Sequence, residues 1–212
     1  VNVFPVKSYD HKNTALKKKL LPIAVCFCLL NLNAQVTLRV EPGVLLETAS
    51  ENLGVLLNIE PKVKCSENTV LGLRFGIAVN PQKFVINNSS SFFIDDLDDN
   101  GMMSFVPTFD YYLNEARFRP YIGMGLGYYL FNNVDVSNRN ASVNVLEGSV
   151  NNQVGFLLRG GLEIGKVRYG LEYNLIPKAD IEIPIGQTIG TVDNSYFGLS
   201  IGFTIADRKN SI

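Results

Sequence analysis

Histidine, cysteine and long apolar runs are scarce in this chain, and each shortage removes a class of function. The one histidine among 212 residues is His11, which lies ahead of an apparent leader. Past that leader no histidine remains, which removes His-dependent acid–base and nucleophilic schemes and leaves a non-enzymatic role expected. Of three cysteines, Cys26 and Cys28 lie in the leader and only Cys65 follows it. A lone thiol makes no intrachain disulfide, and without His or Cys partners it makes no metal site. No later run of about eighteen uncharged apolar residues exists, so no helical membrane span is expected there. The glycines of GMGLG, residues 123–127, fall inside a strand pattern rather than between a strand and a helix, so they do not read as a phosphate loop. No cofactor is expected.

The leader itself is well marked. Lys17, Lys18 and Lys19 form a basic segment, Leu20 to Leu30 an apolar one, and Asn33-Ala34 ends on a small residue before Gln35. This is the layout of a secretory signal peptide cut after Ala34. Residues 1–34 are thus expected to be an N-terminal extension plus cleaved signal, and 35–212 the working domain. An alternative start at Leu16 would give Met-Lys-Lys-Lys, so residues 1–15 are expected to be untranslated. Residues 35–212 carry 14 Lys+Arg and 19 Asp+Glu, a net charge of −5. An acidic chain without basic clusters argues against a nucleic-acid partner.

What is present is alternation. In the last such stretch Phe197, Leu199, Ile201, Phe203 and Ile205 share one face, and Tyr196, Gly198, Ser200, Gly202 and Thr204 the other. A period of two predicts a strand between two different environments. The pattern predicts eight strands, at 36–47, 53–64, 69–79, 102–113, 118–131, 153–164, 167–176 and 195–206. Each is near the ten residues that a tilted membrane strand needs. The connections sort by length. Cys65–Asn68, Asn114–Arg117 and Gly165-Lys166 fall on one end. Thr48–Asn52 and the long Asn80–Gly101, Asn132–Asn152 and Pro177–Asn194 fall on the other. Short periplasmic turns and longer external loops are the outer-membrane pattern. The fold class expected is all-β, an eight-stranded antiparallel up-and-down transmembrane barrel.

Charges inside the strands all fall on the glycine-rich face. Among them are six cations, Arg39, Lys62, Arg74, Arg119, Arg159 and Arg168, and six anions, Glu41, Glu47, Glu60, Asp110, Glu163 and Glu172. An eight-stranded barrel has a lumen just wide enough for side chains, where charges must pair. A lumen charge network is therefore expected. Aromatics near the ends of the apolar band, Phe109, Tyr111 and Phe118 at the turn end and Tyr128 toward the loop end, suit interfacial girdles. Pro42, Pro61 and Pro107 lie within strands, where each removes a ladder hydrogen bond, so bulges or strand ends are expected there.

One loop segment has metal-ligand spacing. In DDLDDNG, residues 95–101, Asp96, Asp98, Asn100 and Gly101 match the first half of a calcium loop. Position twelve of that loop would be Pro107, so the loop is incomplete. A calcium contact at Asp96, Asp98 and Asn100 stands beside the plainer reading of a solvated acidic loop.

The leader ending NLNAQ, the eight segments, the motif RPYIGMGLGYYLF and the final strand YFGLSIGFTI together resemble the small outer-membrane β-barrels of Gram-negative envelopes, the OmpA/OmpX-type or porin family. The resemblance covers roughly residues 35–206. It implies an outer-membrane location among lipid and lipopolysaccharide, and assembly by the barrel assembly machinery. The last strand, with Phe197, Leu199, Ile201 and Phe203 outward, looks like the family's assembly signal. The family often ends on an aromatic residue, whereas ADRKNSI follows here. The function expected is an envelope structural role or a surface interaction through the external loops, with a surface ligand as partner. A narrow porin-like channel for small solutes is one alternative. A secreted lipocalin-like carrier is another, and it would require the two faces to be reversed.

Overall fold

The computed structural model describes residues 36–49, 52–79, 83–86, 92–94, 101–138, 145–184 and 186–207. The leader expected over residues 1–34 lies outside them, as do Asp96, Asp98 and Asn100.

Eight strands close into a barrel: β1 (Val36–Glu47), β2 (Leu53–Lys64), β3 (Thr69–Val79), β6 (Gly101–Tyr112), β7 (Phe118–Phe131), β10 (Gln153–Ile164), β11 (Val167–Leu175) and β14 (Tyr196–Asp207). Around the ring the order is β1-β14-β11-β10-β7-β6-β3-β2, and every neighbouring pair is antiparallel. These are the eight expected strands, displaced by no more than one residue at any end. A twelve-residue strand is about 40 Å long, and tilted by about 40° it rises about 30 Å, the thickness of a bilayer's hydrocarbon core.

The facing is inside out. Leu199 is 59% exposed and Ile122 58%, whereas Arg168 is 1% exposed and Glu60 0%. Apolar side chains ring the outside on every strand, and Phe109, Tyr111, Phe118 and Tyr128 all lie on that outer face. A wall of this kind suits lipid and not water. The carrier reading needs the reverse arrangement, and the wall does not have it.

The three prolines do not sit at bulges, contrary to expectation. Toward β14 the ladder skips Glu41 and Pro42, yet Val40 opposite Phe203 and Gly43 opposite Ser200 keep one register. Toward β3 it skips Glu60 and Pro61. Toward β7 it skips Val106 and Pro107. On its other side each proline pairs normally, with Leu57, Leu38 and Leu73 respectively. A residue in an antiparallel strand aims its N–H at one neighbour only, so a proline costs the ladder on a single side and the strand runs on.

The long connections differ from the expectation of structureless loops. Among the described residues they hold six further strands: β4 (Lys83–Ile86), β5 (Phe92–Ile94), β8 (Val134–Asn138), β9 (Val145–Val150), β12 (Ala179–Ile183) and β13 (Gln187–Asp193). These form a second sheet in the order β4-β13-β12-β9-β8-β5. From β13 to β5 that order repeats the barrel's own sequence β14-β11-β10-β7-β6, so the external sheet carries the wall's order onward. The chain crosses from one to the other through polar clasps. Ser195 Oγ donates to Ile176 O at 3.0 Å and accepts from Ile176 N at 3.1 Å. Asn152 Oδ1 accepts from Phe131 N at 3.2 Å.

The core sits at this junction. Leu45, Leu56, Met102 and Leu157, which point inward from the barrel, join Val136, Ile181, Ile189 and Val192 of the external sheet in one buried cluster. The charged network therefore occupies the middle and the turn-end part of the lumen, and the loop end is mainly apolar, with Glu47 the exception among the described residues. The inward positions change character near the loop end because they there face another sheet rather than the opposite wall.

Candidate functional site

The lumen charges assemble as a lattice that spans the barrel. Asp110 lies at its centre: Oδ2 accepts from Lys62 Nζ at 2.6 Å and Arg168 Nη1 at 2.8 Å, and Oδ1 from Arg159 Nε at 2.8 Å. Arg159 also donates from Nη2 and Nη1 to the two oxygens of Glu60, at 2.7 and 3.1 Å. Glu60 further accepts from Thr108 Oγ1, and Lys62 Nζ lies 3.2 Å from its other oxygen. Arg168 Nε is 3.6 Å from Glu41 Oε1, and its guanidinium stacks 3.5 Å from the Tyr121 ring centroid.

Two groups flank this centre. Toward the loop end, Arg74 Nη2 reaches both oxygens of Glu172, which also accepts from Asn174 Nδ2 at 3.0 Å. Tyr129 OH then donates to Asn174 Oδ1 at 2.8 Å, and apolar side chains begin beyond it. Toward the turn end, Glu163 Oε2 accepts from Arg39 Nη2 and, at 2.7 Å, from Tyr112 OH. Arg119 Nη1 is 3.5 Å from the other oxygen.

All eleven residues of the expected network meet here: Arg39, Glu41, Glu60, Lys62, Arg74, Asp110, Arg119, Arg159, Glu163, Arg168 and Glu172. Glu47 also faces inward and is buried. Arg119 differs from the rest, its side chain being 25% exposed at the turn-end rim. Most partners come from non-adjacent strands, so the bonds run across the lumen rather than along the wall. Burial of such groups is tolerable because each of the eleven has at least one opposite charge within 4.0 Å, and Asp110 has three.

Glycine makes the room. A Cβ on Gly123 would collide with Asp110 Oδ1 and the Phe109 carbonyl, so this position admits no side chain while Asp110 stays put. Gly165 serves differently, adopting a φ of +62° that lets β10 turn directly into β11.

Sequence reading missed Thr108 and Tyr112 as members. Both lie two residues from Asp110 on the same strand, so the alternation that placed Asp110 inward already placed them beside it. For the proposed calcium contact at Asp96, Asp98 and Asn100, the nearest described position is Gly101, which opens β6.

No protein-family model matches the chain, and no curated protein does. Similar solved structures include OprG from Pseudomonas aeruginosa, at 15% identity over 81% of this chain and 96% of that one, with a TM-score of 0.49. Neisserial surface protein A is 11% identical over 82% of this chain and 97% of that one, with a TM-score of 0.47. Ail, the attachment invasion locus protein of Yersinia pestis, is 10% identical over 82% and 100%, with a TM-score of 0.40. The chain's own geometry, an antiparallel ring of eight strands with lipid-suited side chains outside and paired charges inside, makes it a small β-barrel of the outer membrane.

Proposed function

We propose that this barrel is non-enzymatic and acts through its external end, as an envelope or surface-contact protein, and that its lumen conducts nothing. The observation that carries the reading is the filled interior. Arg74, Arg159 and Asp110 are each no more than 7% exposed in mid-lumen, and a buried apolar cluster lies between them and the external sheet. The carboxylates of Glu60, Asp110, Glu163 and Glu172 are each engaged by guanidinium, ammonium or hydroxyl donors. What remains to meet other molecules is the external end, whose sheet shares a buried cluster with the barrel, and binding sites concentrate on connections carried by a scaffold. Lipid and lipopolysaccharide surround the wall in this reading.

Planar-bilayer recording tests it. The folded chain should give no large, steady conductance step, and whole cells bearing it should gain a surface property that is lost when the external connections are cut back. A stable open channel would favour the porin-like alternative. Activity that survives loss of the external sheet and disappears on lumen substitution would place the function inside the barrel.

A further inference from the structure

The turn-end mouth of the barrel is mainly basic among the described residues: Glu163 lies inside it, and Glu67 on the rim holds Lys64 at 3.0 Å. A cavity of about 210 Å³ opens there, and Thr37, Arg39, Lys64, Arg119, Glu163 and Lys166 are among its lining. Glu163 is its one carboxylate, and it is shared among Arg39, Arg119 and Tyr112. That leaves donors over. The Arg39 side chain is 5% exposed, yet its Nε and Nη1 have no hydrogen-bond partner among the described residues, and Nη1 is 4.0 Å from Glu41 Oε1. Arg119 Nε is likewise buried without a partner. Lys166, at the tip of the β10–β11 turn, has no ion-pair partner among the described residues. Buried donors left unmade are costly, and Arg39 and Arg119, which carry them, both line this space.

We infer that this mouth binds a phosphate-type oxyanion presented from the periplasmic side. The donors come from separate elements, Arg39 on β1, Arg119 on β7 and Lys166 in the β10–β11 turn, with the Thr37 and Thr204 hydroxyls on the same lining. Donors converging from several directions suit an anion with oxygens on all sides better than a planar carboxylate, and arginine pairs well with phosphate. The space equals about seven water volumes, enough for a phosphate and part of what it is attached to. A free phosphate and the phosphate of a lipid headgroup at the adjacent inner leaflet present the same chemistry. The inference is independent of what the external end does.

The test uses the full chain folded in uncharged detergent and titrated with inorganic phosphate by calorimetry, and in parallel placed in nanodiscs with or without phosphatidylglycerol. Arg119→Gln and Lys166→Gln are the probes, since both side chains reach solvent and the fold should survive, as heat-modifiable gel mobility will report. Lys178→Gln, at the opposite end of the molecule, is the control. Saturable one-to-one phosphate binding, weakened at least tenfold in both probes and unchanged in the control, is the result expected for a free anion. Saturable retention of phosphatidylglycerol, lost in the same probes, is the result expected for a headgroup. The inference is overturned if neither ligand binds saturably, or if the probes bind as the unaltered chain does.

Discussion

Arg74 and Glu172 meet across the full width of the barrel. Arg74 Nη2 lies 2.6 and 2.7 Å from the two carboxylate oxygens. Their strands, β3 and β11, stand four places apart whichever way the ring of eight is counted. The pair therefore ties opposite walls, and its two members should fail differently alone and together. Arg74→Met by itself leaves a buried carboxylate without its cation and should cost about 3–5 kcal/mol. Arg74→Met combined with Glu172→Leu should recover most of that loss. Urea unfolding of the three variants in vesicles measures both quantities, and a double variant worse than the single would contradict the account.

Position in the lattice should set the cost of losing an arginine. Arg159→Ala strips a cation from both Glu60 and Asp110 and should destabilise by about 3–5 kcal/mol. Arg119→Ala removes a half-wet rim contact and should cost no more than about 1 kcal/mol. Equal losses in the same unfolding assay would mean that burial does not govern these pairs.

Two glycines on the same belt should separate inside from outside. Gly123→Leu drives a side chain into Asp110 and should cost about 1–3 kcal/mol or more, or abolish folding. Gly160→Leu points to lipid, where an added Cβ meets only the Tyr121 carbonyl at 3.4 Å, and should fold almost normally. Yield of heat-modifiable barrel after refolding is the readout.

Excising β12 and β13 should be worse for the external sheet than trimming either edge. These strands join β4 to β9 and supply Ile181, Ile189 and Val192 to the shared core. With residues 177–194 replaced by a short turn, the barrel should still form, but β8 and β9 should become open to protease. Continued protection of those strands would show that the external sheet stands without its centre.

Alternation made the wall legible in the sequence, because every second residue of eight long strands meets lipid and must be apolar. It also assigned all twelve charges to the interior, since none of them could lie outside. It could not say who meets whom. Arg74 and Glu172 are 98 residues apart, and their meeting depends on how the ring closes, which no local pattern encodes. The external sheet was hidden for another reason. Its strands are three to seven residues long, too short for a periodic signal, and Val134, Val136 and Val150 look like ordinary loop valines until they join one buried cluster with Leu45, Leu56 and Leu157. Leu45, Leu56 and Leu157 broke the polar pattern on their strands, and those breaks marked where the lumen turns apolar.

The cross-lumen lattice also fixes the order of events when the wall is made. The strands that come first, β1 to β7, carry Arg39, Glu41, Glu60, Lys62, Arg74 and Asp110. Their main counter-charges, Arg159, Glu163, Arg168 and Glu172, arrive only with β10 and β11. Early strong pairs are confined to Lys62 with Glu60 and Asp110. A half-built sheet thus presents ions whose partners have not yet been delivered, and lipid will not accept them. The nascent inner face must keep its water until the last strands close the ring, so that dehydration of the interior and completion of the wall are a single step.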